Sequence, residues 1–335
     1  MNPTIKSVAE KANVSIATVS RVINGVPYGY SEKTKQRVLQ AIKDLNYQPN
    51  AVARGLVNKR THTIGVLVPD VSSMFASEVL NGVEDVANSL EHSVIVCNTD
   101  ANGVRTLKYL KVLNEKRVDG IVFVSEVMTE EYYTVIKSMN VPTVLVSSFS
   151  HKFQLPYVRV DDRHAAYKAT EYLIAKGHRK VGMISGPPED PIAGMERIKG
   201  YKQALVDSNI PENPNWLMPG DSFGHITGIY AIEKLMKQAP ELTAVFAASD
   251  ELAVGILLWA YEHGVKIPEE LSVIGYDNIK IAEMVTPPLT TVCQPLYDMG
   301  TMASKMLFDL VDGHPVESRI MPFTILERDT VKDLT

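Results

Sequence analysis

From Thr61 onward the chain alternates short apolar runs with amphipathic segments, and this alternation limits the available folds more than any other feature of the sequence. The runs are TIGVLVPD, SVIVCNTD, DGIVFVS, PTVLVSS, KVGMISG, TAVFAASD and LSVIGYDN, bounded by Asp, Ser or Gly. Short continuous apolar runs are the pattern of strands buried on both faces of a parallel sheet. The segments between them, such as 76–91 and 163–177, carry helical spacing. Strand, helix and strand repeated in this way predict a doubly wound α/β fold. About five strands are expected before Asp161 and three or four after it, which makes two lobes with a cleft between them. Ligands of such sheets bind outside the carboxyl ends of the strands, where the polar residues that end these runs collect.

The first 60 residues are of another kind. They hold six lysines and four arginines against Glu10, Glu32 and Asp44, a net charge of +7 on a chain whose total is −5. A basic head on an acidic body predicts that the head meets a polyanion and the body does not. Within the head, TIKSVAEKANVSIATVSRVIN contains two short helical patterns. The first buries Ile5, Val8, Ala9 and Ala12 behind a Thr4 cap. The second, capped by Ser15, turns Ala17 or Ile16 inward with Val19, Val22 and Ile23, and Val14 is tucked into the turn between them. Two short helices joined by about three residues are the helix-turn-helix arrangement. A third helix follows Ser31, with Val38, Leu39, Ile42 and Leu45 inward, and ends near Pro49. Thr18, Ser20, Arg21 and Asn24 leave the second helix a small polar outer face. Its hydroxyls and amide suit phosphate oxygens, and Arg21 has the fork for guanine O6 and N7.

TIKSVAEKANVSIATVSRVIN, LNYQPNAVARGL and TIGVLVPD, in this order, resemble the LacI/GalR family of bacterial transcription regulators, and the likeness runs through essentially the whole chain. By that resemblance Ile16, Ala17 and Arg21 face bases, while Thr4, Thr18, Ser20 and Asn24 face the DNA backbone. Ser15, Tyr47, Asn50, Ala53, Arg54 and Leu56 complete the DNA-facing set. Two departures stand out: Ser7 replaces the usual Asp, and the GVPYGY loop is one residue longer than usual, with Gly29 between Tyr28 and Tyr30. The implied organisation is a helix-turn-helix head over 1–48 and a hinge helix over 49–60. A two-lobed core like a periplasmic sugar-binding protein follows, its first lobe 61–161 with 291–321 and its second 162–290 with 322–335. The hinge is too short to hold a helix in water, and Gly55 weakens it further. The resemblance supplies its partner: two hinges meet across a homodimer and wedge Leu56 into the minor groove of a pseudo-palindromic double-stranded DNA operator.

For the effector the resemblance points to Asp70, Ser72, Phe75 and Ser147 in the first lobe, and to Arg197, Phe223, Asp250, Asp277 and Gln294 in the second. Carboxylates and a guanidinium serve the hydroxyls of a sugar-like ligand, and an aromatic face covers the apolar side of its ring. The expected function is a repressor of carbohydrate-metabolism genes, relieved or set by that ligand. The head is also similar to the catabolite-control branch of the family, and the alternative is a regulator whose DNA binding is promoted by a phosphorylated HPr-type carrier protein. No GxGxxG, GxxxxGK[ST], GxSxG or HExxH motif occurs, so no catalytic residue, cofactor or metal is expected. Asp161 and Asp162 are assigned to the lobe crossover, and His178 to a helix end. With Cys97 and Cys293 read as buried thiols, and no signal-peptide or membrane-spanning pattern, the expected location is the cytoplasm.

Overall fold

The computed structural model describes residues 3–23, 25–47 and 60–335, and the chain divides into two compact units, residues 1–62 and 63–335. In the first, α1 (Ile5–Ala12), α2 (Ile16–Ile23) and α3 (Glu32–Asp44) enclose a core of Val8, Ala9, Ala12, Val19, Val22, Val38 and Ala41. Thr4 caps α1 through Ser7 N, and the Ser7 hydroxyl returns a bond to Thr4 N, so the departure at Ser7 completes a capping box. Ser15 Oγ accepts from Thr18 N at 3.1 Å and Ser31 Oγ from Thr34 N at 3.2 Å, capping α2 and α3. Two inward assignments change. Ile16 is 48% exposed and Ala17 is exposed too, leaving Val19 and Val22 as the buried stripe of α2. Leu39 is also 48% exposed, because Val38, Ala41, Ile42 and Leu45 already make the stripe at helical spacing and Leu39 lies about 100° off it. Helix α3 stops at Asp44, ahead of Pro49, where Asn46 turns left-handed.

The second unit holds two six-stranded sheets. The first has the order β11-β5-β4-β3-β1-β2, built from β1 (Thr63–Val68), β2 (Ser93–Asn98), β3 (Gly120–Val124), β4 (Thr143–Val146), β5 (Tyr157–Val160) and β11 (Arg319–Met321). The second has the order β12-β10-β9-β8-β6-β7, from β6 (Val181–Ser185), β7 (Leu217–Pro219), β8 (Ala244–Ala247), β9 (Ser272–Asp277), β10 (Thr290–Cys293) and β12 (Thr324–Leu326). All pairings are parallel except β12 on β10. The seven quoted runs form β1–β4, β6, β8 and β9; β7, β11 and β12, of three residues each, carry no such run. The return to the first lobe comes after Cys293. The expected boundary at 291 falls inside β10, which completes the second sheet against β9, Cys293 opposite Asp277.

Helices cover the sheets: α4 (Met74–Ser89), α5 (Gly103–Lys116), α6 (Glu130–Met139), α7 (Asp162–Ala175), α8 (Gly194–Asp207), α9 (His225–Gln238), α10 (Asp250–His263), the short α11 (Ile281–Met284) and α12 (Leu296–Val311). No helix among the described residues is long and apolar enough to cross a membrane. His178 does not cap a helix end with its ring. The imidazole is buried between Thr243 Oγ1 (2.9 Å) and the Lys332 carbonyl (3.1 Å), where it ties down the carboxyl-terminal segment of the chain. Cys97 is buried, which pushes its thiol up to about 11, whereas Cys293 is half-buried.

Helix α12 returns to the first lobe and packs on α4 through glycines. A Cβ on Gly82 would stand 2.1 Å from the Tyr297 carbonyl oxygen, and one on Gly300 2.1 Å from that of Val79. Neither backbone can move aside without separating the helices. Gly300→Ala is therefore expected to cost roughly 1–3 kcal/mol, seen as a lower midpoint in urea unfolding; an unchanged midpoint would show that the helices part freely.

Candidate functional site

In each sheet the strand order reverses beside the first strand of the lobe, between β1 and β3 and between β6 and β8, and the polar candidates gather at those carboxyl ends. Arg197 comes from the first turn of α8. Its Nε donates to Asp162 Oδ1 at 2.9 Å, Nη2 forms an ion pair with the same oxygen at 2.8 Å, and Nη1 donates to the Ala248 carbonyl that follows β8. The guanidinium lies 3.7 Å from the centre of the Tyr276 ring and 5.6 Å from that of Phe223. Tyr276 also donates its hydroxyl to Asp162 at 3.1 Å, and the tip of the Phe223 ring packs against Gly186, where a Cβ would meet it at 2.2 Å. Asp277 ends β9 with a φ of +116° and accepts from Gln294 Nε2 at 2.7 Å. The structure thus brings Arg197, Phe223, Asp277 and Gln294 into one cluster, with Asp162 and Tyr276 beside them.

Asp250 differs from the expectation. It is fully buried; Oδ2 accepts from Ile279 N at 2.8 Å and Oδ1 from Thr291 Oγ1. Both oxygens brace the start of α10 against β10, so the carboxylate supports the site and does not face the cleft. Charge in the cluster is lopsided, with Asp162 and Asp277 against the one guanidinium of Arg197, while Asp250 behind them feels the charge of Arg328. Burial drives the Asp277 carboxyl up to about 7, against the pull of Arg197, and burial with the neighbouring Asp277 drives Asp250 well up. Burial opposes the charge of Arg197, but Asp162 more than restores it, and the guanidinium is held above its ordinary value.

On the first lobe, Asp70 Oδ1 accepts from the Ser72 amide (2.8 Å) and hydroxyl (2.7 Å), a self-contained turn after β1, with both residues exposed. Phe75 is half-buried on α4 and packs against the core. Ser147 follows β4 in the left-handed region, with a buried hydroxyl that has no partner. Ser125 follows the adjacent β3 in the same conformation. Across the cleft, Ser73 Oγ donates to Glu251 Oε1 at 3.3 Å, and burial raises the Glu251 carboxyl. Sequence reasoning missed Asp162 as the partner of Arg197, along with Tyr276, Ser125 and Glu251. The available signals were the Asp161–Asp162 pair and the serine that closes DGIVFVS. Asp161 caps α7 by accepting from His164 N at 3.1 Å, so the two neighbours divide the crossover between them.

The head presents Ile16, Ala17 and Arg21 on the exposed side of α2. The Arg21 guanidinium makes no hydrogen bond or ion pair among the described residues. Thr18 and Ser15 share a hydroxyl bond of 2.9 Å, Ser20 is half-buried, and Tyr47 packs partly onto the head core. Lys11 pairs with Asp44 and Lys35 with Glu32, so two of the three acids in the head are already matched. Asn24, Asn50, Ala53, Arg54 and Leu56 lie outside the described residues.

The raised Asp277 carboxyl sets a pH dependence. Its folded value of about 7 lies above the ordinary 3.8, so between the two the native state holds a proton that the unfolded chain has released. Stability from this group is therefore fully present at low pH and falls as pH rises toward about 7. Asp250 works in the same direction. Asp277→Asn is expected to flatten the decline in melting temperature between pH 5 and 7.5; an equally steep profile would assign the slope elsewhere.

Residues 4–50 match the family model for bacterial regulatory proteins of the lacI family, and residues 170–331 that of a periplasmic binding protein-like domain. Over 334 residues the chain is 40% identical to catabolite control protein A of Priestia megaterium, spanning 99% of this chain and 100% of that protein. Among solved structures it is similar to the lac repressor dimer bound to operator and the anti-inducer ONPF. There the TM-score is 0.88 at 26% identity, over 99% of this chain and 100% of the other. A complex of the transcriptional regulator CelR with cellobiose gives a TM-score of 0.75 at 30% identity, over 98% and 99% of the two chains. With this likeness running through head and body alike, the chain belongs to the lacI family of bacterial regulatory proteins and is a DNA-binding transcription regulator.

Proposed function

We propose that the protein is a dimeric cytoplasmic repressor whose grip on a pseudo-palindromic operator is set by an uncharged sugar-like effector held between the two lobes. The observation that carries this reading is the cluster of Arg197, Asp277 and Gln294 beside the Phe223 ring. It offers donors and acceptors for vicinal hydroxyls and an aromatic face for the ring behind them. Two buried carboxyls, Asp162 and Asp277, beside one already paired guanidinium disfavour a phosphorylated ligand. In the same reading Ser147 lends its unpartnered hydroxyl from the first lobe, while Asp70, Ser72 and Phe75 line that side. The effector acts by binding one lobe arrangement better than the other, since a ligand indifferent to the two would shift nothing. It contributes no chemistry of its own, and the protein needs no cofactor.

DNA contact falls to the head, with Arg21 toward base edges and Thr4, Thr18 and Ser20 toward phosphates, and to the hinge residues Asn50, Ala53, Arg54 and Leu56 in the minor groove. For the dimer, Ile226 and Tyr230 on α9, with Leu258 and Tyr261 on α10, expose an apolar stripe at helical spacing on two packed helices. That stripe suits a second copy of the chain, and the similar lac repressor structure is a dimer. The alternative, DNA binding promoted by a phosphorylated HPr-type protein, draws on the 40% identity with catabolite control protein A. The buried Arg197 favours the small molecule.

A thermal-shift screen of mono- and disaccharides and their phosphates tests the site. A neutral sugar at about a hundred times its Kd should stabilise the protein by roughly 2.7 kcal/mol. Arg197→Lys, which keeps a charge beside Asp162, should lose most of that gain, and a response confined to sugar phosphates would refute the reading. Tyr230→Asp with Tyr261→Asp should yield monomers by sedimentation and weaken operator binding in gel shifts, and an intact dimer would rule out that face.

A further inference from the structure

The loop between α2 and α3 folds back on the helix that carries Arg21. Val26 N donates to the Arg21 carbonyl at 3.0 Å, and Gly25 N to that of Val22 at 3.3 Å. Two glycines in this loop hold left-handed backbone, Gly25 at φ +66° and Gly29 at φ +90°, but their surroundings differ. A Cβ on Gly29 would stand 3.1 Å from Arg21 Nη1, 3.2 Å from Cδ and 3.4 Å from Cζ, whereas one on Gly25 would meet nothing within 4 Å. The arm of Arg21 thus lies along the bare Cα face of Gly29. Its guanidinium is exposed and makes no hydrogen bond or ion pair among the described residues. Such a side chain would otherwise spread over many rotamers and lose that freedom on meeting DNA. A backbone wall on one flank removes part of the loss in advance and fixes the direction of the fork. Gly29 stands next to Tyr28, which is largely exposed.

We propose that Gly29 is a positioning residue for operator recognition: it sets the direction of Arg21, and through it the base edge that the arginine reads. The proposal rests on the reading of Arg21 as a base-facing residue. The neighbouring atoms belong to the far part of a flexible side chain, so a Cβ at 29 displaces the arginine and leaves the head core untouched. Gly25 provides the matching control, because Gly25→Ala imposes a similar backbone penalty with no contact to Arg21.

The test is selection from a library of randomised inverted-repeat duplexes at fixed moderate salt, with the full chain as wild type, Gly29→Ala, Gly25→Ala, Arg21→Ala and the Arg21→Ala Gly29→Ala double variant. Helix content of each is followed by circular dichroism. Gly29→Ala should change the preferred base at one position of each half-site, or relax its discrimination by about tenfold, the scale of one bidentate contact. Gly25→Ala should lower affinity for all sequences alike and keep the wild-type preference. On the Arg21→Ala background the added Gly29→Ala should change preference no further. Identical preferences for wild type and Gly29→Ala, or a shift that persists without Arg21, would overturn the positioning role. An unaltered preference in Arg21→Ala would instead remove the base-facing assignment on which the proposal rests.

Discussion

The second lobe is organised around a guanidinium taken almost entirely out of water. Arg197, 6% exposed, joins the first turn of α7 through Asp162, the end of β8 through the Ala248 carbonyl and the end of β9 through the Tyr276 ring. Four segments distant in sequence are held by the need to keep one charge solvated by protein. A buried pair of this kind adds little net stability over apolar packing, yet losing one partner strands the other, at about 3–5 kcal/mol. Its value lies in geometry. It fixes the strand ends where Asp277 and Gln294 meet, and it confines the left-handed backbone of Asp277 to one conformation.

Electrostatics divides the labour between the two units. The head carries ten cations against three acids, while the body sets Asp162 and Asp277 against the Arg197 guanidinium, and burial raises the Asp277 carboxyl to about 7. Strong attraction to a polyanion is thereby restricted to one end of the chain, and the cleft is left poor in positive charge. Within the body, the Ser73–Glu251 hydrogen bond joins residues of opposite lobes, so its existence depends on the lobe arrangement. Contacts of this type give a two-state element the differential energy that coupling between sites requires.

Much of the fold was legible in the sequence because burial on both faces of a parallel strand leaves an uninterrupted apolar run. All seven quoted runs are strands. The three-residue strands β7, β11 and β12 were not legible, since so short a segment carries no periodicity and pairs only because a neighbour is already in place. The return at 291 was placed early for the same reason: Thr290–Cys293 reads as connecting chain until β9 lies beside it. Leu39 was assigned inward on its apolar character alone, and helix geometry gave the place to Ala41. At the site, the family resemblance points to nine residues in both lobes, and of these the structure gathers Arg197, Phe223, Asp277 and Gln294. Asp250 was expected at the cleft and proved to be a brace, since a carboxylate's hydrogen-bond partners depend on neighbours far away in sequence.

By itself the sequence determined the local physics: capped helices at Thr4 and Ser31, buried parallel strands, a basic head on an acidic body, and a full-length likeness to a family of regulators. Those properties follow from residue type and spacing along the chain. Only the tertiary structure decided that Asp162 and not Asp277 holds Arg197, that Asp250 turns away from the cleft, that Glu251 reaches the other lobe and that Gly29 lies under Arg21. Each of those is a meeting of atoms from segments that the sequence leaves apart, and the partner of a charge is settled by which of its possible neighbours burial brings within reach.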